Sequence, residues 1–117
     1  LDSQALVSNW KWLEARGSAA CGAAVKADGY GLGAAGVVRR LADAGCRDFF
    51  VASWREAAAL APLAPDLSLS VLHGVGEDAL PFALQGTTRP VLSTPEQITL
   101  WRGAGGGACD VMIDTGM

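Results

Sequence analysis

Histidine is almost missing from this sequence: His73 is the single one in 117 residues. Cysteine is scarce too, and Cys21, Cys46 and Cys109 contain no Cys-x-x-Cys pair. Those two shortages exclude a zinc site of ordinary ligand spacing, and an odd number of cysteines argues against a disulfide framework. Each cysteine borders an apolar run, which reads as a small buried thiol in a reducing cytoplasm. Basic clusters are absent beyond Arg39-Arg40, which reads as a solvated helix face. The net charge is −3, so nucleic acid is a poor partner. No stretch approaches the roughly 20 apolar residues of a membrane span. The start, Leu1-Asp2-Ser3, has neither the charged and apolar regions of a signal peptide nor an initiating methionine. Met117 lies just past an apolar, strand-like run, and both ends read as cut.

What is present is apolar and small. Half the residues are hydrophobic and only 18% are charged, the balance of a globular core and not of a disordered segment. Leu6, Trp10 and Leu13 recur at helical spacing, which predicts a helix over 4–16 with Asp2 or Ser3 as its cap and Gly17 as its stop. Residues 20–27 are short and apolar, as in a buried strand, and Gly29 to Gly33 read as a turn. A helix over 34–44 ends at Gly45. Asp48 to Ala52 form the next strand. Ser53 and Glu56 make a capping box for a helix running to about Ala61.

Strands follow at 67–73, 90–93 and 109–113. Between them lie a weak helix over 77–85, broken or opened by Pro81, and a helix starting at Thr94-Pro95 and stopping at Gly103. Continuous apolar strands alternating with helices indicate a parallel sheet covered by helices. An open doubly wound sheet and part of a (β/α)8 barrel both fit this order. On the barrel reading, with its eight strands in about 250 residues, the chain supplies the first five.

Lys26 stands out because it ends an Ala- and Val-rich strand. With its stem among apolar side chains, desolvation disfavours the charged ammonium, and a neutral amine there is a good nucleophile toward an aldehyde. On a barrel, C-terminal strand ends form the active-site face. The glycines after Lys26 let backbone approach a ligand, and the helix after Gly33 offers amides suited to a phosphate. On residue chemistry alone the plainer reading is a lysine whose ammonium reaches solvent past a glycine turn. Gly-Tyr-Gly-Leu-Gly lacks the spacing of a nucleotide-binding loop.

Three segments carry a more specific signal. Ala24-Val25-Lys26-Ala27-Asp28-Gly29-Tyr30-Gly31-Leu32-Gly33-Ala34 resembles the pyridoxal-phosphate attachment signature of alanine racemases. Ile113-Asp114-Thr115-Gly116-Met117 resembles their Met-Asp-Thr-Gly-Met segment. Leu1 to Asn9 is similar to their Ile-Asp-Leu-x-Ala-Leu-x-x-Asn helix. The chain, residues 1–117, thus looks like the N-terminal portion of a pyridoxal-phosphate-binding barrel, without the C-terminal β-domain.

The resemblance implies a bacterial isomerase of fold type III that interconverts L- and D-alanine in the cytoplasm and supplies D-alanine for peptidoglycan. It implies a homodimer acting on a small amino acid, with neither membrane nor nucleic acid as partner. It makes Lys26 the catalytic and cofactor-binding residue, attached to pyridoxal 5'-phosphate through a Schiff base and serving as one of two acid/base groups. A tyrosine from the partner subunit, outside this chain, would be the other. Tyr30 would bond the cofactor phosphate, Leu72 would line its ring, and Asp114, Thr115 and Gly116 would lie near the substrate. No metal is implied.

Plainer readings remain for these positions: a turn aromatic for Tyr30, core for Leu72, a cap on the following segment for Asp114 and a bond within its own turn for Asp28. Two departures are visible. Many members carry a lysine, sometimes carbamylated, just before the Met-Asp-Thr-Gly-Met run, where this chain has Met112, and Leu32 replaces a common histidine. A non-catalytic pyridoxal-phosphate-binding barrel and a racemase of broader specificity stay open as alternatives. The 117 residues alone are expected to be inactive.

Overall fold

The computed structural model describes residues 2–63 and 65–116. Leu1 of the opening segment and Met117 of the closing one lie outside the described residues. Five strands, β1 (Ala23–Ala24), β2 (Asp48–Val51), β3 (Ser68–Val71), β4 (Arg89–Leu92) and β5 (Asp110–Val111), form one sheet in the order β1-β2-β3-β4-β5. Every pairing is parallel. A doubly wound sheet reverses its strand order at a switch point. Here each strand pairs only with its neighbour in sequence, so the doubly wound alternative is excluded. The arrangement is that of four consecutive βα units and a fifth strand of a barrel.

The helices are built as their ends dictate. In α1 (Ser3–Glu14), the Asp2 carboxylate accepts from the amides of Gln4 and Ala5, both at 3.0 Å. In α3 (Ala34–Ala44), Val37, Val38 and Leu41 form the buried stripe, and Gly45 at φ 116 ends the helix. The capping box of α4 (Trp54–Leu60) is present, with Ser53 accepting from Glu56 and the Glu56 side chain accepting from Ser53. The chain does not break before Pro62 but tightens into a 3₁₀ turn over Ala61–Leu63. Proline fits there because the first turn of such a segment needs no amide from it. The weak helix around Pro81 is reduced to α5 (Leu80–Ala83), with proline in its first turn. Thr94 caps α6 (Pro95–Gly103).

Alternation along β2 and β3 sends Phe49, Val51, Leu69 and Val71 to the helix-covered face, where they pack with Trp10, Val25, Val38, Leu41 and Leu60. A second cluster under α5 and α6 centres on Trp101, Leu92 and Val75. The opposite face is polar near the N-terminal ends of the strands. There Arg89 lies 3.8 Å from Asp48 and 3.7 Å from Asp110, and it donates to Ser68. Ser70, buried, donates to Asp110 at 2.6 Å. The predicted first strand, 20–27, is much shorter in the structure. Only Ala23 and Ala24 pair as strand, because β1 has a single partner and the chain turns sharply after Val25.

Candidate active-site rim

Because all five strands are parallel, the residues that follow them converge on one edge of the sheet. Lys26 follows Val25, whose amide donates to the Phe50 carbonyl at 2.8 Å and closes the β1–β2 ladder. Leu72 follows β3 and donates through its amide to Val51 at 2.8 Å. Asp114, Thr115 and Gly116 follow β5, all exposed, with the Gly116 amide donating to the Asp114 carboxylate at 2.9 Å. Lys26, Leu72 and Asp114 to Gly116 therefore lie along the same edge of the sheet, and Tyr30 stands at the end of the turn that Lys26 opens. Asp114 does bond locally.

Lys26 opens a left-handed helical turn, α2 (Lys26–Tyr30). Ala27, Asp28 and Gly29 have φ of 51, 52 and 64° and ψ of 49, 47 and 37°, and Tyr30 has φ 57°. The turn is closed by the Gly29 amide to the Val25 carbonyl at 2.9 Å and the Gly31 amide to the Ala27 carbonyl at 3.0 Å. A left-handed conformation costs an ordinary L-residue roughly 1–2 kcal/mol. Three non-glycine residues adopt it here, immediately after the lysine, and such strain collects at functional sites. The sequence alone predicts a strand through 27 and a turn beginning at Gly29. The turn begins three residues earlier.

Lys26 is half-buried, between buried Val25 and exposed Ala27. The apolar enclosure expected of a strand-end lysine is only partial, because β1 has no second neighbour among the described strands. Tyr30 projects from the turn with 63% of its surface exposed. Leu72 is half-buried. A cavity of about 570 Å³ opens behind the turn between α3 and α4, walled by Val25, Asp28, Ala34, Ser53, Arg55 and Glu56. Another, of about 480 Å³, lies at the far end of the rim against Ser93, Met112, Ile113, Asp114 and Thr115.

The rim is strapped sideways. Glu56 Oε1 accepts from the Ala27 amide at 2.8 Å, while Oε2 accepts from Ala52 at 2.7 Å and Ser53 at 3.2 Å. Burial pushes this carboxyl up. The three amides, with His73 nearby, outweigh that and hold it below its ordinary value. The Trp54 indole donates to the Gly74 carbonyl at 2.8 Å, and Gln97 Nε2 donates to the His73 carbonyl at 3.2 Å. The Ser53–Glu56 spacing alone marks Glu56 as a cap. Its contact with Ala27 spans 29 positions and has no local signature. Among the described residues, no three His, Cys, Asp or Glu side chains gather as a metal site, and no helix is long and apolar enough to cross a membrane.

Comparison with known proteins adds a family to this geometry. The model of the alanine racemase N-terminal domain matches residues 1–117. The chain is 42% identical over 123 aligned residues to an alanine racemase of Acidiphilium cryptum, covering all of this chain and 34% of that protein. It is 37% identical over 122 aligned residues to one of Rhizobium meliloti, again over all of this chain and 32% of the relative. It thus spans about a third of the length of these curated relatives. Among solved structures, an alanine racemase from Bartonella henselae with covalently bound pyridoxal phosphate superposes with a TM-score of 0.83 at 35% identity, over 88% of this chain and 29% of that one. An alanine racemase from E. faecalis gives 0.76 at 27% identity, over 86% and 28%.

Proposed function

The chain belongs to the alanine racemase N-terminal domain family, and from that premise we propose that the protein of which it forms part interconverts L- and D-alanine with pyridoxal 5'-phosphate held at Lys26. The observation that carries this reading is the position of Lys26. It is a primary amine at a parallel-strand end, opening a left-handed turn, in a chain similar to a racemase that binds this cofactor covalently.

The donor set fits the group. An amine able to hold an aldehyde stands at Lys26, and a phenol able to meet the phosphate stands four positions on at Tyr30. A half-buried apolar side chain able to line a ring stands at Leu72. Once bound, the cofactor supplies an electron sink that makes the substrate Cα proton removable. The chain's own residues would do the rest. Lys26 Nζ takes and returns that proton from one face. Asp114 and Thr115, shaped by the Asp114–Gly116 hydrogen bond, border the substrate end. The opposite face needs a second acid/base group, assigned to a tyrosine of the partner subunit in a homodimer. This chain has one tyrosine, Tyr30, already assigned to the phosphate. Residues 1–117 alone are therefore expected to show no turnover. The reaction takes place in the cytoplasm and supplies D-alanine for peptidoglycan.

Borohydride reduction of the full-length protein with pyridoxal phosphate, followed by peptide mapping, should place the stable adduct on Lys26. An adduct elsewhere, or none, sinks the assignment. Assay of the same protein for alanine racemisation separates an enzyme from a binding barrel that only carries the cofactor.

A further inference from the structure

The turn bearing Lys26 is held from outside itself. A capping box at the start of α4 needs one carboxylate oxygen, and Glu56 Oε2 alone serves Ala52 and Ser53. Oε1 is left for the amide of Ala27. Gln97 occupies the same third position in α6 and behaves in parallel. Its Oε1 accepts from the Ser93 amide at 2.9 Å, and its Nε2 donates to the His73 carbonyl on the preceding strand end. Each side chain joins its own strand end to the one before it. The residue types match what the neighbour offers: Ala27 presents N–H and meets a carboxylate, which only accepts, whereas His73 presents C=O and meets an amide, which can donate.

We propose that Glu56 is a positioning residue for Lys26, fixing the Ala27 amide so that the strained turn sets the direction in which the lysine amine enters the rim. This rests on the assignment of Lys26 as the cofactor lysine. The Ala27 N–H belongs to the peptide plane that also contains the Lys26 carbonyl, so anchoring it fixes the backbone on the C-terminal side of the lysine. Ala27 is a non-glycine residue with φ 51°, a conformation that persists only where its surroundings enforce it. The charge-assisted bond from Glu56 is such an enforcement.

Glu56→Gln tests this selectively. A glutamine can keep the local cap through Oε1, as Gln97 does, but its Nε2 then meets the Ala27 N–H donor to donor. In the full-length protein with pyridoxal phosphate, Glu56→Gln is expected to lower kcat about tenfold with KM for alanine little changed. It should also move the pH midpoint of the lysine-linked cofactor absorbance. In the cofactor-free protein, amide exchange across residues 25–33 should accelerate while that of α4 does not. Ser53→Ala removes only the local cap, and should lower the melting temperature without moving the midpoint.

An unshifted midpoint and unchanged exchange over 25–33 in Glu56→Gln overturn the proposal, as does an equal shift in Ser53→Ala. Failure of the underlying reading is distinguishable. If the unmutated protein gives no Lys26 adduct on reduction, the cofactor assignment falls and the positioning role falls with it. A labelled Lys26 beside an unaffected Glu56→Gln sinks the positioning role alone.

Discussion

Asp28 accepts a hydrogen bond from the Ala34 amide at 2.8 Å, so a residue inside the left-handed turn also closes the first turn of α3. The helix has no side-chain cap at Gly33, and Asp28 takes over that work from six positions upstream. Aspartate is suited to both duties, since it tolerates positive φ and offers a carboxylate to an orphan amide. Asp28→Ala is expected to cost about 1 kcal/mol, and Asp28→Asn much less. Urea denaturation of both variants checks the order. Equal midpoints for Asp28→Ala and the unmutated protein would remove the cap from the account.

Gly29 sits at φ +64° with no room behind it. A Cβ there would come within 3.2 Å of the Ala34 backbone nitrogen and Cα, atoms that cannot swing aside. Gly31, at φ +80°, faces open space. Gly29→Ala should therefore destabilise by about 1–3 kcal/mol and lower the melting temperature more than Gly31→Ala. A reversed ranking in thermal unfolding would contradict the packing described for α2 against α3.

The lowered Glu56 carboxyl makes part of the stability pH-dependent. Burial opposes ionisation, but the amides of Ala52, Ala27 and Ser53, with His73, favour the charged form more strongly. A carboxyl depressed in the folded state contributes stability that is present above its ordinary value of 4.5 and is lost as pH falls through the folded value. The stability gap between the unmutated protein and Glu56→Gln should thus be widest near neutrality and shrink below pH 4.5. Denaturant midpoints across that range read it directly, and a gap independent of pH would show that ionised Glu56 contributes nothing.

Cys46 is 1% exposed, and burial pushes its thiol above the usual 9.0. Cys21 and Cys109 are partly exposed and unbridged. Alkylation with iodoacetamide under native conditions should modify those two first and reach Cys46 only on unfolding. Early labelling of Cys46 in mass spectra would contradict the burial of the α3–β2 junction.

Much of this fold could be read along the chain because its signals are local. The Asp2 cap, the Ser53–Glu56 box and the Gly45 stop each depend on residues within a turn of one another, and all appear where spacing put them. The strand ends were harder. Apolar content marks 20–27 as buried, but only pairing decides how much becomes β1, and its single neighbour leaves two residues. The left-handed turn was illegible for another reason. Ala27 and Tyr30 have no intrinsic preference for positive φ, and the bond from Ala27 to Glu56 that braces the turn spans 29 positions, beyond any local window of sequence. Lys26 itself stood out by chemistry, but its support did not.

The neighbour-by-neighbour strand order has a consequence for how such a chain comes into being. Each βα unit finds its pairing surface on the unit made just before it, so loops to be closed are short and contact order stays low for a parallel sheet. During synthesis, the emerging polypeptide can add strand after strand to an existing edge without waiting for distant segments. The rim around Lys26 would then be assembled in the order in which the ribosome releases it.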